Sequence, residues 1–115
     1  MRILVIDDER TFNQGKICHW NKINETPLIV YARNYNQALK NLMSDWDIVY
    51  LDHDLGDKCS GYDIALDIEK AAYGGTLLNV NKFIIHSMNP SGRINMFRAL
   101  RNFYNVEFAR AEDLV

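Results

Sequence analysis

"DIVYLDHDLGD", residues 47 to 57, decides how this chain folds. The run "DIVYL" (47–51) reads as a buried strand, short and rich in β-branched and aromatic residues. It ends abruptly in Asp52, His53 and Asp54. Carboxylates this close repel one another unless something positive sits among them. A strand that leaves the core straight into such a cluster is therefore read as entering a site.

Other segments have the same design. "RILVI" (2–6) is stopped by Asp7, Asp8 and Glu9, and "KFIIHS" (82–87) ends in His86 and Ser87. "PLIVYA" (27–32) and "NVEFA" (105–109) complete five expected strands. Between them lie helical patterns. "NYNQALKNLMSD" (34–45) has Asn34 as its cap and Tyr35, Ala38, Leu39 and Leu42 on one face. "GYDIALDIEKAAYGG" (61–75) is closed by two glycines. "NPSGRINMFRALRNFY" (89–104) has Asn89 at the cap and Pro90 in the first turn. In 10–26, Phe12, Ile17, Trp20 and Ile23 recur at roughly helical spacing, against Gly15 and several asparagines.

Strands that alternate with helices and are near-continuously apolar predict an α/β fold with a five-stranded parallel sheet. Ligands of such sheets bind beyond the carboxyl ends of the strands. Here three strand ends are polar, and they converge on one edge.

The 115 residues suit a single domain, 1–115. At 48% hydrophobic residues the chain is expected to pack a core. Thirteen basic against fifteen acidic residues give a net charge of −2, so no DNA binding is expected. No stretch reaches membrane-span length, and the early acids in "MRILVIDDER" do not suit a signal peptide. Cys18 and Cys59 lack metal-type spacing and read as reduced thiols, which points to the cytoplasm.

On these residues the chain resembles a response-regulator receiver domain, a flavodoxin-like doubly wound fold. "RILVIDDE" is similar to the receiver's first strand and acidic pair. "DIVYLD" matches its third strand and would make Asp52 the phosphoacceptor. "FIIHS" matches its fourth strand, with Ser87 as the terminal hydroxyl residue. The departures are specific. Where a receiver has a lysine after its fifth strand, this chain reads "EFARAED", with Arg110. The final helix of a receiver is expected to be missing, and His53, Asp54 and His86 are additions. "LDHDLG" followed by "HSMNPSGRINM" resembles the cyclic-phosphate processing receiver domains, a family common in phage and bacterial genomes. That resemblance implies a metal-dependent phosphoesterase acting on a cyclic phosphate, either a 2′,3′-cyclic RNA end or a cyclic nucleotide.

The residues carry their own reading. Asp7, Asp8, Asp52 and Asp54 suit a divalent cation, Mg2+ first and Mn2+ second, because hard cations take oxygen ligands. Capping of the following turn is the competing role, most open for Asp7 and Asp54. His53 and His86 are expected to lie close together on neighbouring strands. With Asp52 they make the candidate catalytic set, one imidazole taking a proton and the other giving one. A hydrogen bond to a backbone carbonyl, or metal ligation if the cation is Zn2+, Mn2+ or Fe2+, are the alternatives. "SMNPSGR" reads as an anion cradle. Ser87, Asn89, the amides of Ser91 and Gly92, and Arg93 or Arg110 would hold phosphate. A merely well-capped helix is the plainer reading. Gly56 and Gly61 are expected to let the loop after Asp54 turn.

Two other functions fit the pattern. Asp52 as a phosphoacceptor would make a signalling module, although the lysine is absent. A nucleotide-binding module without chemistry is the other. Without a final helix one sheet face needs a cover, either from a homodimer or from the 10–26 segment.

Overall fold

The computed structural model describes residues 1–56 and 58–115; Asp57 lies outside the described residues. Five strands alternate with four helices: β1 Arg2–Ile6, α1 Gln14–Asn21, β2 Leu28–Ala32, α2 Tyr35–Leu42, β3 Trp46–Leu51, α3 Gly61–Tyr73, β4 Val80–Ile85, α4 Pro90–Leu100 and β5 Asn105–Phe108. A 3-10 turn, Ala111–Asp113, follows β5. The sheet order is β2-β1-β3-β4-β5, and every pair is parallel. Among the described residues no helix is long and apolar enough to cross a membrane.

Two apolar layers cover the sheet. Leu4, Ile6, Val49, Leu51, Phe83 and Ile85 face the side of α2, α3 and α4. Val5, Ile48, Tyr50 and Ile84 face the other side, where Phe12, Ile17 and Leu114 pack on them. Strand residues alternate between faces with a period of two, so each run feeds both layers. The 10–26 segment thus covers the second face, joined by Leu114 of the last turn, whose carbonyl accepts from Asn13 N–H at 2.6 Å. Helix α1 is shorter than the expected pattern. Phe12 precedes it, and Trp20 is 59% exposed rather than in the core.

The caps explain where the helices start. Asn34, Ser60 and Asn89 each accept a backbone N–H of the first turn through the side chain, and Ser60 with Asp63 forms a full capping box. Gly61 has a stricter duty than turning a loop. A Cβ there would stand 1.8 Å from the Asp52 carbonyl oxygen, so only glycine lets α3 begin against the end of β3. Gly56, at φ +72°, does supply a left-handed turn.

Candidate active site

Register builds the site. Val5, Tyr50 and Ile84 stand abreast on β1, β3 and β4. Two residues on, past the strand ends, the same row becomes Asp7, Asp52 and His86. The ladder continues that far: Asp52 N–H donates to Ile6 at 3.0 Å and His86 N–H to Leu51 at 3.2 Å. The three side chains therefore emerge on one face, at the carboxyl edge of adjacent strands. All three are buried.

His86 Nε2 lies 3.0 Å from Asp7 Oδ2. The ring is gripped edge-on by Phe12 and Tyr50, and its Nδ1 is buried with no hydrogen-bond partner among the described residues. Asp7 Oδ1 accepts the amides of Glu9 at 2.9 Å and Arg10 at 2.8 Å, so it caps the loop while Oδ2 faces the site. Asp52 Oδ1 accepts the His53 amide at 2.8 Å. Between the two carboxylates sits Arg10, whose Nη1 is 3.4 Å from Asp7 Oδ2 and 3.4 Å from Asp52 Oδ2. This is the positive charge that the acid cluster requires, and sequence reasoning missed it. Arg33 of the β2–α2 junction holds that loop in place. It donates to the carbonyls of Arg10 at 2.6 Å and Asp7 at 3.3 Å, and to Thr11 Oγ1 at 3.1 Å.

The two acids respond differently. Burial pushes the Asp7 carboxyl up, but the His86 hydrogen bond and the Arg10 and Glu9 amides outweigh it and bring it down to about 2. Asp52 is pushed up, chiefly by burial, with the Asp7 charge adding to it; His86, the His53 amide and Arg10 oppose this without cancelling it. An oxygen of each acid and a nitrogen of His86 all lie within 4.8 Å of one another. Such a donor set fits a divalent cation. A cleft of about 160 Å3 opens above it, lined by Asp7, Asp8, Glu9, Arg10, Asp52, Asp54 and Met88. Asp8 and Asp54 thus sit on the cleft wall, outside the close group of three. The Asp8 carboxylate lies over Gly56, where a Cβ would meet it at 2.8 Å.

The histidines do not form the expected pair. His86 follows the row of Asp7 and Asp52. His53, one residue out of step, turns to the opposite face and lies against α4. A Cβ on Gly92 would stand 2.4 Å from its ring. Its Nδ1 is 3.0 Å from Asp54 Oδ1, and Nε2 makes no hydrogen bond among the described residues.

The anion cradle is also revised. Gly92 N–H is not free, because it donates to Asn89 Oδ1 at 2.9 Å, and Ser91 Oγ donates to the same oxygen at 3.1 Å. Gly92 is there to admit His53. Ser87 is buried, and its Oγ accepts the Asn89 amide at 3.1 Å, leaving its own proton to give. Arg93 and Arg110 leave the acidic cleft. Both line a second cavity of about 350 Å3 beside β4 and β5, along with Trp20, Tyr50 and Phe108. Arg93 lies over the Phe108 ring, and Arg110 pairs with Glu112. For Arg110 the reason is periodicity. Ala109 occupies the row of His86 on the fifth strand, with its N–H on Ile85 at 2.9 Å, and Arg110 is one residue past it.

A doubly wound parallel sheet with acids abreast on its first and third strands defines a receiver-type domain. The family of cyclic-phosphate processing receiver domains matches residues 2–102, and the chain belongs to that family. Among solved structures, a response regulator protein from Burkholderia pseudomallei with a phosphorylated aspartic acid, calcium ion and citrate is similar. Its TM-score is 0.60 at 17% identity, covering 96% of this chain and 62% of that one. This chain thus spans less than two thirds of that neighbour. A fusion carrying part of the yeast Spc42 trimeric coiled coil is similar at TM-score 0.54 and 20% identity, covering 95% of this chain and 67% of that one. At such identities the likeness concerns the fold. No curated protein matches the chain at a significant level.

Proposed function

We propose that this domain, working in the cytoplasm, hydrolyses a cyclic phosphate on a nucleotide or an RNA end. The observation that carries the reading is Asp54, which lines the acidic cleft and at the same time holds Nδ1 of His53. Opening the ring breaks one phosphorus–oxygen bond to ribose and forms another to the oxygen of water. One proton leaves the water and one reaches the departing ribose oxygen. Asp54 holds Nδ1 of His53, which fixes the tautomer and keeps Nε2 able to take the first proton and return it. A single histidine therefore balances the reaction, and His86, shut behind Asp7, is not required as its partner. A divalent cation held by the acid cluster would supply positive charge against the phosphate oxygens and acidify water. Ser87 can donate to a phosphate oxygen, and Arg10 stands at the cleft with a guanidinium suited to the same task. Incubation with 2′,3′-cyclic nucleotides and with RNA bearing a 2′,3′-cyclic end, plus Mg2+ or Mn2+, should yield a phosphomonoester. His53→Ala should abolish this. Binding of these compounds without product would leave a nucleotide-binding module.

One observation favours a second reading, Asp52 as a phosphoacceptor. It stands in the row of buried acids, and a structural neighbour carries a phosphorylated aspartic acid. Against it, the fifth strand presents Ala109 at that row and no lysine.

A further inference from the structure

We infer that Asp7, Asp52 and His86 form a mixed nitrogen–oxygen site for a borderline transition-metal cation, of the Mn2+, Co2+ or Zn2+ class, with His86 Nε2 as a ligand. This rests on the proposed reading of the cleft as a cation site, and narrows it. The three donors come from three adjacent strands, are all buried, and lie within 4.8 Å of one another. Donors on neighbouring strand ends are held more firmly than donors on loops. Mg2+ wants oxygens and keeps its waters, whereas an imidazole in the donor set suits later first-row cations. Three protein ligands also leave positions open toward the cleft.

The setting of His86 fixes where its ring points. Phe12 and Tyr50 fix its ring, and its Nδ1 finds no partner among the described residues. Among the described residues, all the polar contact that the ring makes passes through Nε2, which aims at the carboxylates. An imidazole buried at that cost, for one bond to Asp7, is poorly explained as scaffolding.

Arg10 is the competitor. Its Nη1 sits 3.4 Å from one oxygen of each acid, where its charge neutralises them in the metal-free protein. Its side chain is 38% exposed, so it can swing out. A cation entering the site displaces it and leaves the guanidinium at the cleft, beside the open positions.

Metal binding alone tests this, with no cyclic phosphate present. Calorimetric titration of the parent chain should show Co2+ and Zn2+ bound more tightly than Mg2+ by on the order of a hundredfold or more. Pulsed EPR of the Mn2+ form should show hyperfine coupling to a histidine nitrogen. His86→Gln should collapse the preference for Co2+ over Mg2+. Arg10→Gln should tighten Co2+ by roughly tenfold, since a competing charge is gone. Equal affinity for Mg2+ and Co2+, or Mn2+ without nitrogen coupling in the parent protein, would overturn the assignment. Because the EPR reading needs no variant, poor folding of His86→Gln does not blunt the test. If nitrogen coupling appears and no cyclic phosphate is hydrolysed, the reaction is wrong and the metal site stands. If hydrolysis occurs with oxygen-only ligation, the reverse holds.

Discussion

The ring of His53 rests on Gly92, where a Cβ would come within 2.4 Å of Cδ2. The first turn of α4 and His53, the histidine proposed to exchange protons, are thus packed with no room for a side chain. Gly92→Ala should therefore push the ring aside while suiting the helix, since alanine is the better helix former. We expect turnover to fall by roughly a hundredfold, the order seen when a reacting group moves by about an ångström. The melting temperature should change little. Steady-state rates and thermal unfolding of the variant check both halves.

Asp52→Asn should stabilise the metal-free protein. Burial raises the Asp52 carboxyl, which means that its charge at neutral pH works against folding. A neutral amide of the same shape removes that cost. The variant should melt higher than the parent in chelator, and should lose the rise in melting temperature that a bound cation gives. A lower melting temperature in chelator would contradict the placement of Asp52.

Stability against pH should show Asp7 separately. Its carboxyl is at about 2 when folded, below the ordinary 3.8, so its contribution is full above the ordinary value and is lost as pH falls through about 2. That gap amounts to on the order of 2 kcal/mol. Asp52, being raised, contributes in the opposite sense: its stabilisation is present at low pH and lost as pH rises through its folded value. In chelator, Asp7→Asn should flatten the acid limb between about pH 4 and pH 2, and Asp52→Asn the limb above it. Denaturant titrations across that range measure both.

Asp52 should accept phosphate poorly. The fifth strand offers Ala109 in its row, and Arg110 is turned away toward Glu112. An acyl phosphate on Asp52 would lack a cationic clamp from that side. Mass spectrometry after incubation with acetyl phosphate should find little modification. Stoichiometric labelling that disappears in Asp52→Asn would restore the signalling reading.

The parallel sheet was readable because apolar runs and helical patterns alternate from Arg2 to Phe108, with only the α1 pattern weak. The acid cluster was readable too, since each acid follows directly on such a run. The separation of the histidines was available from counting alone. His86 is two residues past Ile84 and Asp52 two past Tyr50, so they share a face, while His53 falls on the other. Gly92 was ambiguous because the clash that it avoids involves a residue 39 positions earlier (92 minus 53). Arg10 and Arg33 were not readable. Both act through long side chains from irregular segments, where no periodicity reports direction.

Arg33 ties the β1–α1 loop to the outermost strand of the sheet. Three of its bonds end on Asp7, Arg10 and Thr11, and its own position is set by β2, which has a neighbour on one side only. The charge that balances the buried acids is therefore moored to the rim of the sheet and not to its centre. Arg33→Ala should quicken amide hydrogen exchange at Glu9 and Arg10 while Leu4 to Ile6 stay protected. How tightly the acids hold their guanidinium is, in this molecule, a property of its outermost strand.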